Sequence, residues 1–453
     1  NIEWHQGQGT YLYIHPVLNQ LIVHNGTAAE VYMGDKLIYD YSPIGSAPRA
    51  GGDSYGVFAT DGKRVFFGGW VHAPANMRDG SLVFTGKYSH LHQIDEDGKV
   101  SLLWREGPGT ESQWYGEVVN TLYVEYLNGI VFTRGDGIIN YDGLWEYDLS
   151  TGQVGKIALV GNRLGTLTAY HRWIFAAIHP WRGGSGGIAV YNMVNGSQNV
   201  ITSAVDVITR TSGGMPSLCG QIVAYNGYIL AFGDGVLVMY DPHRGNTYME
   251  PFFRLSEVPM APGHRAQKVY VAGKPIVPVV PYDRYTGPKI NPCLLRVDTP
   301  VPQIITVPGH VTGMAVDRGD VWLAGLPYYP AIEEIPAIVT SPNIIKVPIS
   351  FLLSKPQAPY ALRLSIDNWK AGDYYLGIPV VGFIKRILRV KAPTSITLRV
   401  VQYPLAPEEI DYTDYSLSAG WNTIDLSGFS EIVAVAPTTD VSGNTKLILS
   451  LEP

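Results

Sequence analysis

A motif that recurs along the first three quarters of the chain constrains the fold most strongly. In each copy an apolar segment ends at Asp or Asn, a short turn follows, and a second apolar segment begins. The aligned polar residues are Asp95, Asp148, Asn192, Asp241 and Asp298. They recur roughly every 45–60 residues, the period of an array of supersecondary units. Because an Asx side chain bonds to the backbone two residues ahead, we interpret these residues as turn caps.

A second hairpin precedes each copy of this motif. The turns of three such hairpins contain the dipeptides Asp61-Gly62, Asn128-Gly129 and Asn226-Gly227. These dipeptides favour two-residue primed turns. Each unit therefore contains two hairpins, or four short antiparallel strands, as in a propeller blade. The pattern predicts an all-β protein in which residues 1–352 form a seven-bladed β-propeller; six or eight blades also fit.

The last part of the chain, residues 353–453, lacks the blade spacing. It contains short β segments, and a Pro-rich stretch that begins at Ser354 marks its start. About 100 residues of this kind suit a β-sandwich or jelly-roll module. We therefore expect two domains, a propeller followed by a C-terminal β-sandwich.

The four-stranded repeat resembles the broad β-propeller superfamily over about three quarters of the chain. The Gly-His and Trp-Asp signature of WD40 repeats is absent from the sequence. The general character of the sequence also resembles that of uncharacterised propeller proteins of thermophilic archaea. That resemblance implies a fold and no particular activity.

Composition excludes some partners. The chain has 33 Lys and Arg against 39 Asp and Glu, a net charge of −6. A nucleic-acid binder needs an excess of positive charge to contact phosphates, which this composition does not provide. No apolar run approaches the roughly 18 residues of a membrane-spanning helix. Charged residues make up 16% and Tyr is abundant, which favours an extracellular or cell-surface location. Cys219 and Cys293 are too few for a disulfide scaffold, and whether they bond to each other stays open.

The connections between strands indicate where a site would lie. In a propeller, the loops between second and third strands share one face with the blade-to-blade connections. Four of these second-to-third-strand connections are long, at 71–89, 135–143, 179–187 and 281–292, whereas the opposite connections are mostly two-residue turns. Long insertions on one face of a repeat protein mark its binding side.

We therefore expect a ligand site on that face. The candidate ligand-binding residues on the second-to-third-strand connections are His72, Arg134, Asp136, His179, Trp181, Arg182, Asp283 and Arg284. Those on the blade-to-blade connections are Asp53, Trp114, His264 and His310. Aromatic rings beside Arg and Asp suit a sugar, because rings stack on its C–H faces and charged groups bond its hydroxyls.

The favoured function is recognition: a surface or structural protein that binds a polysaccharide or a protein partner. The alternative is a glycan-cleaving enzyme, a hydrolase or lyase with its site at the channel mouth, because the loops also carry carboxylates. No nucleophile elbow, Gly-rich phosphate loop or Cys/His pair is present, so no catalytic residue is assigned. The loop histidines lack the spacing of a metal site. No metal is predicted, and the sequence identifies no cofactor.

Overall fold

A computed structural model gives the architecture of most of the chain. The residues it describes are 10–25, 30–41, 51–53, 58–78, 81–109, 117–135, 142–158, 164–179, 185–255, 260–262, 266–281, 292–307, 309, 311–325, 343–405 and 410–453. Within them the protein is all-β, and helix is limited to α1 (Ile349–Leu353) and a 3-10 turn at Glu125–Leu127. No helix in these ranges is long and apolar enough to cross a membrane.

Seven sheets follow one another through the described residues up to Pro348. Sheet 1 contains β1 (Thr10–Ile14), β2 (Leu21–Asn25), β3 (Glu30–Met33) and β4 (Lys36–Asp40). Sheet 2 contains β5 (Gly51–Asp53), β6 (Phe58–Thr60), β7 (Val65–Arg78), β8 (Ser81–Ile94) and β9 (Val100–Gly109). Sheet 3 contains β10 (Glu117–Val124), β11 (Gly129–Gly135), β12 (Gly143–Asp148) and β13 (Val154–Ala158). Sheet 4 contains β14 (Leu164–Tyr170), β15 (Trp173–Ile178), β16 (Gly187–Asn192) and β17 (Gln198–Ile201).

The next three sheets continue the pattern with additions. Sheet 5 contains β18 (Ser203–Asp206), β19 (Ser212–Gly214), β20 (Ile222–Tyr225), β21 (Tyr228–Phe232), β22 (Val236–Tyr240) and β23 (Thr247–Pro251). Sheet 6 contains β24 (Met260–Pro262), β25 (Val269–Val271), β26 (Lys274–Pro281), β27 (Cys293–Arg296) and β28 (Gln303–Thr306). Sheet 7 contains β29 (Gly313–Asp317), β30 (Asp320–Gly325) and β31 (Asn343–Pro348). Nearly all neighbouring strands are antiparallel; the β18–β23 pair is parallel.

Apolar clusters join each of these sheets to the next one along the chain. Phe66 and Phe132, for example, lie in the cluster between sheets 2 and 3. Sheet 7 packs against sheet 1, where Leu12 clusters with Ala315 and Ala324. The succession of sheets therefore closes on itself, which is the arrangement of a β-propeller.

Burial explains why the strands read as apolar runs. Every residue of β11 is buried, because sheet 3 is covered on both faces by its neighbours. Such a strand needs no alternation of apolar and polar residues.

The predicted turn caps are present in most of the units. Asp148 Oδ1 accepts a hydrogen bond from the Ser150 N–H over 2.7 Å, and Asp95, Asn192 and Asp241 make the same contact in their own turns. Asp298 differs. Its carboxylate forms ion pairs with Arg296 and Lys274 instead. The prediction that these residues cap their turns is therefore confirmed at the other four positions and is wrong at Asp298.

The primed-turn prediction holds at only one of the three dipeptides. Asn226 and Gly227 have φ values of 49° and 86° and form the two-residue connection of β20 and β21. At Asn128 the 3-10 turn ends in a left-handed residue with φ 47°, whereas Gly129 begins β11. A Cβ at Gly129 would lie 2.7 Å from Glu146 Oε1 and 3.1 Å from the Tyr147 carbonyl oxygen, so a larger residue there would displace the Glu146 side chain.

The C-terminal part contains two further four-stranded sheets. Sheet 8 contains β32 (Tyr360–Asp367), β34 (Lys385–Ala392), β37 (Gly420–Asp425) and β39 (Asn444–Glu452). Sheet 9 contains β33 (Tyr375–Pro379), β35 (Ile396–Tyr403), β36 (Asp411–Leu417) and β38 (Ile432–Pro437). Their buried side chains share one cluster with sheets 5 and 6. The Tyr403 hydroxyl donates to the Pro251 carbonyl over 2.6 Å, and Arg254 pairs with Asp373.

The strand order gives the ring two unlike faces. One side carries the connections between the first and second strands and between the third and fourth strands of each sheet. We call this side the turn face. The loop face carries the second-to-third-strand and sheet-to-sheet connections. On the turn face, β14–β15, β20–β21, β25–β26 and β29–β30 are each joined by a two-residue turn. On the loop face, 136–142 joins β11 to β12 and 282–292 joins β26 to β27.

One predicted loop is shorter than the sequence suggested. Residues 71–89 lie mainly in strands, because β7 continues to Arg78 and β8 starts at Ser81. This part of the loop face is therefore an extended hairpin.

Candidate functional site

The sequence-based candidates fall only partly within the described residues. Those outside are Trp114, Asp136, Trp181, Arg182, His264, Asp283, Arg284 and His310. For Asp53 and His72 the backbone is described: Asp53 ends β5 opposite Trp70, and His72 lies in β7 opposite Gly51. Arg134 and His179 are described with their side chains, and they lie in two separate polar clusters.

His179 follows the second strand of sheet 4 and contacts the segment that leads into sheet 5. Its Nδ1 shares a hydrogen bond with Ser217 Oγ. The backbone supports this approach, because the Leu218 N–H donates to the Ile178 carbonyl over 3.2 Å. A hydroxyl next to an imidazole can bind a polar ligand, and it is also the first pair required for nucleophilic catalysis.

Cys219 and Asp234 extend this cluster into sheet 5. The Cys219 thiol donates a hydrogen bond to Asp234 Oδ1 over 2.8 Å, and the Asp234 N–H donates to the Ser217 carbonyl. Burial raises the pKa of Cys219 well above its ordinary value, and the Asp234 charge adds to the effect. Burial also raises the pKa of Asp234. The thiol is therefore a protonated donor near neutral pH, and Cys219 lacks the thiolate that a nucleophile needs.

Asp234 consequently does more than shape its turn. It lies in the short connection between β21 and β22, where its backbone N–H bonds to the Ser217 carbonyl. Its carboxylate, however, holds Cys219 on the neighbouring segment. We name His179, Ser217, Cys219 and Asp234 the loop-face cluster.

Arg134 lies in a second cluster, between sheets 2 and 3. Its side chain is fully buried, and Nη1 donates to Glu106 Oε2 over 2.7 Å. The guanidinium lies over two rings, 5.1 Å from the centroid of Trp104 and 4.5 Å from that of Trp145. A buried guanidinium held by a carboxylate and two indoles mainly joins the two sheets. Arg134, predicted as a ligand-binding residue, is fully buried, and its described contacts are those of a support between the two sheets.

Both clusters lie at the loop face. Arg134 is near the end of β11, ahead of residues 136–142, and His179 immediately follows β15. Cys219 and Cys293 are both free thiols, so no bridge joins them.

Three buried histidines, His24, His90 and His92, lie close together between sheets 1 and 2. His90 Nδ1 and His92 Nδ1 lie 3.0 Å apart, and His24 Nε2 lies 2.7 Å from the Tyr41 hydroxyl. Burial lowers the pKa of His24 and of His92 to about 3 and that of His90 well below its ordinary value. No group of three His, Cys, Asp or Glu in the described ranges has the geometry of a metal site. We interpret these imidazoles as neutral core residues between sheets 1 and 2.

Sequence reasoning missed several members of these clusters. Glu106 and Trp104 lie on β9, the last strand of sheet 2, and Ser217 lies in a connection that carries no motif. The available signal was position: β9 leads into the sheet-to-sheet connection at 110–116, and Ser217 lies in the connection that leads into β20.

Several solved structures have a related backbone at low similarity. Hydrazine synthase of Kuenenia stuttgartiensis matches with a TM-score of 0.45 and 8% identity, over 76% of this chain and 99% of that chain. A luciferin-regenerating enzyme matches with a TM-score of 0.38 and 12% identity, over 62% and 91%. An oligogalacturonate lyase in complex with manganese matches with a TM-score of 0.36 and 10% identity, over 60% and 74%.

The sequence itself matches a family. No curated protein matches the chain. The model of a family described as uncharacterized proteins conserved in archaea (DUF2139) matches residues 21–298. This match covers more than half of the chain and most of the propeller sheets, so the chain belongs to this archaeal family.

Proposed function

We propose that this chain is an extracellular or cell-surface recognition protein that binds a glycan or a protein partner through its loop face. In this proposal residues 1–352 form a propeller of seven blades, one for each of the seven described sheets, and residues 353–453 form a β-sandwich. The observation that carries the proposal is the asymmetry of the two faces. Connections between successive strands on the turn face span two to six residues, whereas 136–142 spans seven and 282–292 spans eleven on the loop face.

The loop-face cluster supports the proposal chemically. His179 and Ser217 place an imidazole and a hydroxyl at the base of the connection that contains Trp181 and Arg182. An indole, a guanidinium and hydroxyl groups together provide the stacking and hydrogen bonding that sugars use. The low overall charge favours a ligand bound by such contacts over one bound by long-range attraction.

The test is incubation of the full chain with a panel of polysaccharides, in which both retention and chain length are measured. We expect retention without shortening. Arg182→Gln should weaken retention, whereas Arg318→Gln, an exposed arginine in a turn on the opposite face, should not. Equal retention by the two variants would contradict a loop-face site. Absence of retention across the panel would exclude the glycan version and leave a protein partner as the ligand to test.

The alternative is a hydrolase or lyase that cleaves glycans. Its supporting contact is the hydrogen bond that His179 Nδ1 shares with Ser217 Oγ, because an imidazole in such a pair can serve as a general acid or base. If this alternative is right, at least one polysaccharide of the panel will be shortened in the presence of the unaltered chain. His179→Gln must then abolish the shortening while leaving the melting temperature intact.

A further inference from the structure

A groove on the turn face is formed by residues that the proposed function does not use. It has a volume of about 580 Å³ and is lined by Tyr126, His171, Arg172, Trp173, Val194 and His243, among others. These side chains come from the turns of three successive sheets: Tyr126 from sheet 3, His171 to Trp173 and Val194 from sheet 4, and His243 from sheet 5. We name this the turn-face groove.

The aromatic side of the groove is held in place by its own contacts. Trp173 and His243 meet edge to face with ring centroids 6.3 Å apart. His243 Nε2 and the Tyr170 hydroxyl are 3.3 Å apart, and the His171 ring is 5.9 Å from that of His243. The rings are therefore arranged before a ligand arrives, which reduces the ordering cost of binding.

Apolar surface is exposed at the rim. Tyr126 is 66% exposed and Val194 is 60% exposed, although both lie on well-formed turns beside packed sheets. An exposed aromatic and apolar patch rimmed by polar groups marks an interaction site more often than an inert surface. Tyr126 and Trp173 offer ring faces and edges of the kind that pack against the C–H groups of a pyranose.

The charges of the groove have one sign. Arg172 lies over Trp173, with its guanidinium carbon 4.7 Å from the ring centroid, and in the part of the chain that the structure describes it forms no ion pair. No carboxylate lines the groove. The acids nearest in sequence to the lining residues are Glu125, beside Tyr126 in the 3-10 turn, and Asp241, which accepts hydrogen bonds from the backbone of its own turn. Neither lines the groove. A guanidinium and two imidazoles without a carboxylate complement an anionic group on the ligand.

We propose that the turn-face groove binds an acidic saccharide. A sugar carboxylate pairs with the Arg172 guanidinium, His171 and His243 contribute further hydrogen bonds, and a pyranose ring packs against Trp173 and Tyr126. This site lies on the face opposite to the loop-face cluster, so it does not depend on the function proposed above.

The test compares two ligands that differ only in charge: a β-1,4-linked mannuronate tetramer and β-1,4-mannotetraose. Calorimetric titration of the full chain should show binding of the mannuronate tetramer and at least tenfold weaker binding of the neutral sugar. Arg172→Gln should weaken mannuronate binding by about tenfold or more, as expected for loss of a charge-assisted hydrogen bond. Arg318→Gln is the matched control, because Arg318 is also an exposed arginine in a two-residue turn of the same face, and it should leave binding unchanged.

Three results would overturn the proposal. The first is no heat of binding with mannuronate at millimolar concentration. The second is equal affinity for tetraglutamate, which would assign the groove to an acidic peptide. The third is a concentration-dependent dimer that Tyr126→Ser dissociates, which would assign it to a second copy of the chain. Arg182→Gln distinguishes the two proposals, because it leaves the turn-face groove intact. If this groove is the site, mannuronate binding should be unchanged in that variant. Loss of mannuronate binding would assign the sugar to the loop face.

Discussion

The side-chain amide of Gln267 forms hydrogen bonds with both backbone groups of Leu12, a residue 255 positions earlier in the chain. The Leu12 N–H donates to Oε1 over 2.8 Å, and Nε2 donates to the Leu12 carbonyl over 2.9 Å. The Met314 N–H also donates to Oε1 over 3.0 Å. One amide therefore links sheets 1, 6 and 7 where the ring closes.

Gln267→Leu should lower the free energy of unfolding by about 2 kcal/mol, because buried backbone groups of Leu12 and Met314 lose their partners. Urea unfolding followed by circular dichroism measures the change. Gln357→Leu is the matched control, since Gln357 is exposed and bonds only to the neighbouring Lys355 carbonyl. Equal stability of the two variants would show that Gln267 does not hold the closure.

Arg134→Met should destabilise the protein by about 2 kcal/mol, because the partly exposed Glu106 loses its charged hydrogen bond between sheets 2 and 3. Adding Glu106→Gln to this variant should recover part of the loss, since the uncompensated charge is then removed. A double-mutant cycle from urea unfolding gives the coupling between the two residues. A coupling close to zero would mean that the ion pair contributes nothing and that the stacking on Trp104 and Trp145 dominates.

Stability should fall steeply in acid because of His24, His90 and His92. The folded pKa of His24 and of His92 is lowered to about 3 by burial, whereas the unfolded residues titrate near 6.5. Unfolding therefore takes up protons between about pH 6.5 and pH 3, and stability is lost as the pH falls through this window. At pH 5 this difference corresponds to about 2 kcal/mol for His24 and about 2 kcal/mol for His92.

His92→Phe tests this account, because a phenyl ring can keep the stack on Phe67 without a titrating nitrogen. The variant should show a smaller loss of stability between pH 8 and pH 5 than the unaltered chain. The same pH dependence in both proteins would place the acid sensitivity elsewhere.

Cys219 should react slowly with iodoacetamide at pH 8, because burial and the Asp234 charge raise its thiol pKa. Asp234→Asn removes the charge and should speed alkylation several-fold, as measured by mass spectrometry of the Cys219 peptide. Cys293, fully buried with a pKa raised to about 12, serves as the internal reference and should stay unmodified. Faster reaction of Cys219 in the unaltered chain than in the variant would contradict the Cys219–Asp234 contact.

The sequence predicted the repeat well because local chemistry determines it. Asp148 and Asp241 cap turns that lie within a few residues of them, and Asn226-Gly227 carries the backbone conformation that its turn requires. Asp298 departs from the pattern because two cations, Arg296 and Lys274, compete for its carboxylate. One of them, Lys274, lies 24 positions away across the sheet, beyond the reach of a local pattern.

The site was less accessible to sequence reasoning, because it depends on contacts between blades. Arg134 was proposed as a ligand-binding residue, yet Trp104 and Glu106 of the neighbouring sheet bury it. Ser217 contacts His179 from a neighbouring segment of the fold, and the spacing of the two residues in the sequence does not indicate this contact. The turn-face groove was missed for a similar reason: His171 and His243 come together only when sheets 4 and 5 pack side by side.

Hydrogen–deuterium exchange of the full chain with and without a retained polysaccharide tests the loop-face proposal most directly. The account predicts ligand-dependent protection of segments 180–184 and 282–291 and of the peptide that contains Ser217. Peptides from the β20–β21 and β29–β30 turns should be unaffected. Protection confined to the turn face, with no change in the loop-face peptides, would contradict the central claim.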